Sequence, residues 1–199
     1  MEKPLADIRE FVAGTMSPDE FRIKLYTNNA FEALLTNDPH LPKSGYIKGS
    51  VYQFLLEQDF DDPGGLLNIQ GALQEFMNRN AISYMATREY SELFDIILTA
   101  QPKWLQVQTK FVQEKMLPAS NGKKAKELKA WLREEFLRRF RFAKKPPKWI
   151  QSPNWPINEN GPLVFIGQLD GDNYFHDTAA IYVFLDPVTK ICETIIQTY

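Results

Sequence analysis

Few side chains in this sequence of 199 residues could carry out chemistry, and they lie far apart along the chain. The sequence contains two histidines, His40 and His176, and a single cysteine, Cys192. Two histidines alone, one of them in a loop of sequence DPHLP, do not provide the ligand set of a zinc site. His176 and Cys192 could form a nucleophile dyad, but a cysteine between isoleucine and glutamate in a strand is more typical of an inert side chain. We therefore expect a protein that is not an enzyme and that binds neither a metal nor a cofactor.

An acidic segment, residues 170–181 with the sequence DGDNYFHDTAAI, begins like a calcium-binding loop. Its fifth, sixth and twelfth positions hold tyrosine, phenylalanine and isoleucine, where calcium binding requires Asp or Asn, then Gly, then Glu. We therefore interpret the segment as an acidic loop between two strands. Because aromatic side chains flanked by charge anchor protein partners, we predict that it binds one. The predicted contact residues are Asp170, Asp172, Tyr174, His176 and Asp177.

Positive charge is concentrated in one stretch of a chain whose formal net charge is -2. Residues 122–148 contain eleven Lys and Arg against three Glu, whereas residues 1–121 and 149–199 each carry a net charge of -5. Such acidic flanks suit a basic protein partner through electrostatic steering. The alternative is an uncharacterised enzyme or a nucleic-acid-binding protein that uses the basic stretch. We favour a solvated helix face there, because the stretch contains no recognised nucleic-acid-reading motif.

The elements that must position these residues begin with helices. Ser17 is placed to cap a helix that Pro18 begins, and Asp62 with Pro63 forms a second start of the same kind. The segment VYQFLLEQ is predicted to be helical, although its apolar run fits a buried strand nearly as well. Other helices are predicted over ADIREFVAG, NAFEALLTND, TREYSELFDIILTAQ and PKWLQVQTKFVQEKM. The first 120 residues therefore form a mostly helical region.

The longest helix is predicted over residues 122–142, within the basic stretch. Its apolar side chains fall on one stripe that should be buried, with the cations largely elsewhere. The stripe consists of Leu128, Trp131, Leu132, Phe136 and Phe140.

After a proline-rich joint at residues 146–162 the apolar period changes to two, which predicts three strands in PLVFIGQLD, TAAIYVFLD and KICETIIQTY. The turn DPVTK has hairpin length, so the last two strands should pair antiparallel. Trp149 and Trp155 lie in the extended joint, because Pro153 prevents a helix between them. We expect both rings to be buried on the sheet; the alternative is that they contact a partner.

These patterns predict an α+β protein whose mostly helical N-terminal two thirds pack on a small C-terminal antiparallel sheet. We place the helical region at residues 1–145 and the Pro/Trp segment with its three-stranded sheet at residues 146–199, and expect them to form one body. The single cysteine excludes an intramolecular disulfide, the start MEKPLADIRE lacks the features of a signal peptide, and no apolar run could cross a membrane. We expect a cytoplasmic monomer or weak dimer with no membrane partner.

The segment PPKWIQSPNWPINENGPLVFIGQLDGDNYFHDTAAIYVFLDP resembles the bacterial YwqG-like pattern, in which a Trp-Pro segment and a Gly-Pro turn lead into a strand ending in a Gln such as Gln168. The N-terminal FVAGTMSPDEFRIKLYTNNAFEALL is similar to the short helical openings of immunity proteins in bacterial polymorphic toxin systems. YwqG-like domains are longer and richer in strands, so this resemblance extends to a terminal strand module. Together the resemblances imply an immunity protein that neutralises a cognate toxin by protein–protein contact, and the acidic flanks suit a basic toxin domain such as a nuclease. They imply no catalytic residues.

Overall fold

The computed structural model of this chain describes residues 2–37, 47, 49–171 and 178–199. It divides into two compact units, Met1–Asp95 and Ile96–Tyr199. The sequence-based division at residue 145 follows the change from helical to period-two patterning, whereas the units divide within a helix. That the helical and sheet regions form one body remains a prediction.

The N-terminal unit is helical throughout its described regular structure. Its helices are α1 (Glu2–Val12), α2 (Pro18–Thr27), α3 (Asn29–Thr36), α4 (Val51–Leu56), α5 (Pro63–Arg79) and the first part of α6 (Glu89–Ala100).

Two of these helices begin where the sequence predicts. The Ser17 side chain accepts a hydrogen bond from the Glu20 amide at 3.2 Å, and the Asp62 carboxylate accepts one from the Gly65 amide at 3.1 Å. The ambiguous segment VYQFLLEQ contains helix α4, which starts with a capping box between Ser50 and Gln53. A capping box satisfies amide groups that a strand would have to pair elsewhere, which favours the helix.

The core of the N-terminal unit is aromatic and aliphatic. Phe11 of α1 stacks on Phe21 of α2 with ring centroids 4.4 Å apart, and Phe21 meets Phe31 of α3 edge-on at 5.7 Å. Helix α5 buries Ile69 and Leu73 in the same cluster. Helix α2 is thereby fixed by its Phe21 face, and its opposite face is turned to solvent.

The C-terminal unit combines short helices with an antiparallel sheet. It contains α7 (Thr109–Lys115), a 3₁₀ turn (Leu117–Ser120), α8 (Ala125–Arg139), β1 (Ile157–Asn158), β2 (Gly161–Pro162), β3 (Val164–Asp170), β4 (Ala179–Leu185) and β5 (Cys192–Thr198). Strands β3, β4 and β5 pair antiparallel in that order, with a bulge between Phe165 and Gly167. The α+β class and the three predicted strands are confirmed.

The Pro/Trp segment packs on the inner face of this sheet. Trp155 is 5% exposed and lies 5.3 Å from Phe184 of β4 and 5.7 Å from Phe140, which follows α8. Trp149 is half-buried, with its ring 4.4 Å from that of Tyr182 and its Nε1 donating to the Trp104 carbonyl at 2.8 Å. The predicted burial is confirmed for Trp155 and holds in part for Trp149.

Two predicted helices are shorter in the structure. Residues 102–108 are not helical, because Gln101 closes a loop in which its Oε1 accepts from the Val107 amide at 2.6 Å. Helix α8 ends at Arg139, since the next residues turn to pair with β3 at Phe165. Trp131 of the predicted stripe is half-buried; the other four stripe residues are buried.

Candidate functional site

The predicted acidic loop lies mostly outside the described residues. Asp170 ends β3 and is exposed. The other four predicted contact residues, Asp172, Tyr174, His176 and Asp177, fall outside the described part of the chain, as does His40. Cys192 is exposed at the start of β5. The loop as a partner site therefore stays a prediction, as does the interpretation of Cys192 as an inert side chain rather than part of a dyad with His176.

A second candidate surface lies on the outer face of helix α2. Ile23 and Tyr26 project from it with 61% and 51% of their surface exposed. Their spacing of three residues places them side by side on a helix, opposite the buried Phe21. Asp19 lies one turn before Ile23 on the same face, and Asp61 joins it from the turn between α4 and α5. We call Asp19, Ile23, Tyr26 and Asp61 the α2 surface.

The aromatic ring of Tyr26 in the α2 surface is supported by side chains of the core. The Tyr26 ring meets Phe60 edge-on at a centroid distance of 6.2 Å, and Phe60 in turn packs against the buried Phe21 at 6.4 Å. Phe60 belongs to the core cluster. Because its ring rests on a core side chain, Tyr26 presents a partly preorganised aromatic surface to solvent.

The carboxylates of this region outnumber its cations. Arg22 donates to Asp19 at 2.7 Å and to Asp61 at 3.1 Å, so a single guanidinium serves two carboxylates. Lys24 likewise contacts Asp7 at 2.8 Å and Glu20 at 3.0 Å, and these carboxylates, Asp7 first, raise the pKa of the lysine. Among the described residues, Arg22 with Asp19 and Asp61 has a net charge of -1, so the rim of the α2 surface is acidic.

The sequence contained a signal for this surface that the prediction missed. In FRIKLY, Phe21 and Leu25 form the buried stripe, and both are buried in the structure. Ile23 and Tyr26 fall off that stripe by the helical period, on the same side as Asp19. Two large apolar residues outside the core stripe and next to an acid are typical of a contact surface.

A pocket of about 400 Å³ opens beside the β4–β5 turn. Asp186 on its wall is 4% exposed, and its carboxylate accepts from the amides of Val188 at 2.7 Å and Thr189 at 3.2 Å. It also accepts from the side-chain amides of Asn158 at 2.8 Å and Asn160 at 3.1 Å. Since four donors surround this carboxylate, it stabilises the turn and has no position left for a ligand.

The positive charge of residues 122–148 is distributed differently from the prediction. Helix α8 carries five Lys and Arg and three Glu, a net charge of only +2. Arg138 and Arg139 both bind Glu135, at 2.7 Å and 2.9 Å, and lower its pKa to about 2, Arg138 first. Half of the excess charge lies beyond the helix, in residues 141–148, which have four Lys and Arg and no acid.

Within the part of the chain that the structure describes, no group of three or more His, Cys, Asp and Glu is arranged to hold a metal ion. No helix among these residues is long and apolar enough to span a membrane. Comparison with protein-family models, curated protein sequences and solved structures finds no match.

Proposed function

We propose that this chain is a cytoplasmic immunity-type protein that neutralises a cognate bacterial toxin by protein–protein contact. The partner would be a basic toxin domain, such as a nuclease, and the chain would act as a monomer or weak dimer. The observation that carries the proposal is the α2 surface, where exposed Ile23 and Tyr26 lie within an acidic rim. The resemblance of the N-terminal segment to the helical openings of immunity proteins supports it.

The charge of the N-terminal unit favours a basic partner. Residues 1–95 contain fifteen Asp and Glu against eight Lys and Arg, a net charge of -7. A field of this sign attracts a positively charged domain and accelerates its association. The same charge would repel an anionic substrate from the N-terminal unit, so it argues that this unit contacts the toxin itself.

The contact geometry suggests how binding would work. Ile23 and Tyr26 would enter an apolar depression on the toxin and supply the buried centre of the interface. A Lys or Arg of the toxin would bind between Asp19 and Asp61, which share one guanidinium in the free protein. Neutralisation would follow from covering the toxin's active surface, with no catalytic residue required. The loop with Asp170 and Tyr174 remains a second predicted contact.

The test begins with the product of the reading frame immediately upstream. We expect its expression to arrest growth of a bacterial host and co-expression of this chain to restore it. With purified proteins, calorimetric titration should show that Tyr26→Ala weakens the complex by about thirtyfold or more, as expected for a hot-spot side chain.

A matched control is Tyr199→Ala, which removes a tyrosine that is 87% exposed in the other unit. We expect this variant to bind as the parent does. If the upstream product is harmless, or if it is toxic and does not bind, the proposed function is wrong. If it binds and both variants match the parent, the function stands and the α2 surface is not the contact.

A further inference from the structure

The cations of residues 141–148 lie on an irregular segment that begins after helix α8. We call this stretch the basic segment; its charged residues are Arg141, Lys144, Lys145 and Lys148, and it has no Asp or Glu. All four side chains are exposed. None has an ion-pair partner among the residues that the structure describes, in contrast to Arg138 and Arg139 on Glu135. Four cations therefore remain available for an anionic ligand.

The backbone of the basic segment is held at both ends. The Phe165 amide of β3 donates to the Arg141 carbonyl at 2.9 Å, and the Ala143 amide donates to the Phe165 carbonyl at 2.9 Å. At the other end, the Lys148 amide donates to Gln168 at 2.7 Å and its carbonyl accepts from the Tyr182 hydroxyl at 3.0 Å. A segment fixed in this way loses little backbone entropy when its side chains bind.

The two prolines between these anchors add to the effect. Pro146 and Pro147 restrict the backbone where it runs from the lysine pair to Lys148. Phe142 packs inward, with its ring edge-on to Trp104 at 5.6 Å. The outward side of the basic segment therefore consists of cations on a fixed frame.

We propose that the basic segment binds the phosphodiester backbone of double-stranded nucleic acid without regard to sequence. Phosphate contacts from Lys and Arg supply most of the affinity of such binding. A protein partner fits less well, since protein interfaces are depleted in lysine and built around buried apolar or aromatic anchors, whereas this segment exposes three lysines. Single strands fit less well too, because the segment's one aromatic ring, Phe142, packs against Trp104 and offers no stacking platform.

The experiment measures binding of the full chain to a fluorescently labelled 20-base-pair DNA duplex of arbitrary sequence by anisotropy. With four phosphate contacts, the logarithm of the association constant should fall against the logarithm of salt concentration with a slope of about -3.6. Between 50 and 200 mM NaCl this means roughly a hundredfold loss of affinity. Lys144→Gln with Lys145→Gln should reduce the slope to about -1.8.

The matched control is Lys124→Gln with Lys126→Gln, which removes the same charge at two exposed lysines near the start of α8. It should leave the slope close to that of the parent. Circular dichroism and melting temperature should be measured for both double variants to check that they fold.

Three outcomes would overturn the proposal. One is the absence of duplex binding at 50 mM NaCl, and another is an equal effect of the two double variants. The third is binding to phosphatidylserine-containing vesicles or to polyglutamate as tight as binding to the duplex, which would assign the basic segment to a membrane or to an acidic protein. None of these assays includes the proposed toxin, so their results leave the proposed function untouched.

Discussion

Trp155 connects three structural elements of the C-terminal unit through a single side chain. Its Nε1 donates to the Leu163 carbonyl at 2.8 Å, and its ring contacts Trp104, Phe140 and Phe184. Trp155→Ala would leave a large cavity and an unpaired carbonyl. We expect a loss of about 3 to 5 kcal/mol in the free energy of unfolding, measured by denaturant titration.

Trp149→Ala is the comparison, because this tryptophan is half-buried and should cost less. In the parent protein the Trp149 ring contacts Tyr182, and its indole nitrogen donates to the Trp104 carbonyl, so we still expect some loss of stability. A Trp155→Ala variant as stable as the parent would refute burial as the role of this ring.

Asp186 is the residue whose ionisation should matter most to the β4–β5 turn. The Val188 amide above all, followed by the Asn158 and Asn160 side chains, holds the pKa of this carboxyl below its ordinary value of 3.8. A lowered folded-state pKa means that the stabilisation is complete above about pH 4 and is lost as the pH falls towards the folded-state value. Asp186→Asn would turn an amide donor towards the donors of Asn158 and Asn160.

We therefore expect Asp186→Asn to lower the melting temperature at pH 7 and to flatten its decline between pH 4 and pH 2. Glu159→Gln removes the same charge at an exposed neighbour and should leave both quantities nearly unchanged. If the melting temperatures of the parent and of Asp186→Asn decline in parallel across this pH range, Asp186 is not the group whose ionisation stabilises the turn.

At the level of elements, two glycines of helix α5, Gly65 and Gly71, differ in the space around them and can be compared directly. A Cβ on Gly65 would collide with the backbone carbonyl of Asp59, whereas a Cβ on Gly71 would have no heavy atom within 4 Å. Gly71→Ala should stabilise the protein by about 0.5 to 1 kcal/mol through helix propensity alone.

Gly65→Ala should destabilise it despite the same gain in propensity, because the Asp62–Pro63 start of the helix would have to move. Thermal unfolding of the two variants side by side measures the difference. Stabilisation by both substitutions would show that the close approach of Asp59 to Gly65 is not required.

The elements that the sequence predicts best depend on neighbouring residues. Ser17 and Asp62 cap the helices that follow them, and the period of two identifies β3, β4 and β5, because both signals act within a few residues. Residues 102–108 were wrongly predicted as helix because their apolar spacing is helical. The Gln101 side chain bonds the Val107 backbone and closes a loop there, which competes with helix formation. Apolar periodicity does not encode this contact.

The candidate surfaces were harder to predict than the fold. The sequence places eleven cations in residues 122–148 but does not show that Glu135 takes two of them. Nor does it show where α8 ends, which depends on pairing with Phe165, a residue over twenty positions further along. The exposure of Ile23 and Tyr26 could have been inferred from a helical-wheel projection of α2, since Phe21 and Leu25 define the buried side of this helix.

At the scale of the whole molecule, the two compact units carry opposite charge. Residues 1–95 have a net charge of -7, and residues 96–199, with fifteen Lys and Arg against ten Asp and Glu, have +5. The overall value of -2 hides this contrast. The two proposals follow the division, with a basic protein on the acidic unit and a phosphate backbone on the basic one.

The acidic field predicts the kinetics of the proposed toxin complex. Association should slow at least about tenfold between 20 and 500 mM NaCl, as for electrostatically steered pairs, with little change in dissociation. Glu57 is exposed at the end of α4. Glu57→Gln with Asp61→Asn should slow association at low salt, whereas Tyr26→Ala should mainly speed dissociation. Glu159→Gln with Glu193→Gln removes equal charge from the other unit and should affect neither rate. Surface plasmon resonance across this salt range measures both rates; association that ignores salt, or that slows equally in the two charge variants, would refute steering by the N-terminal unit.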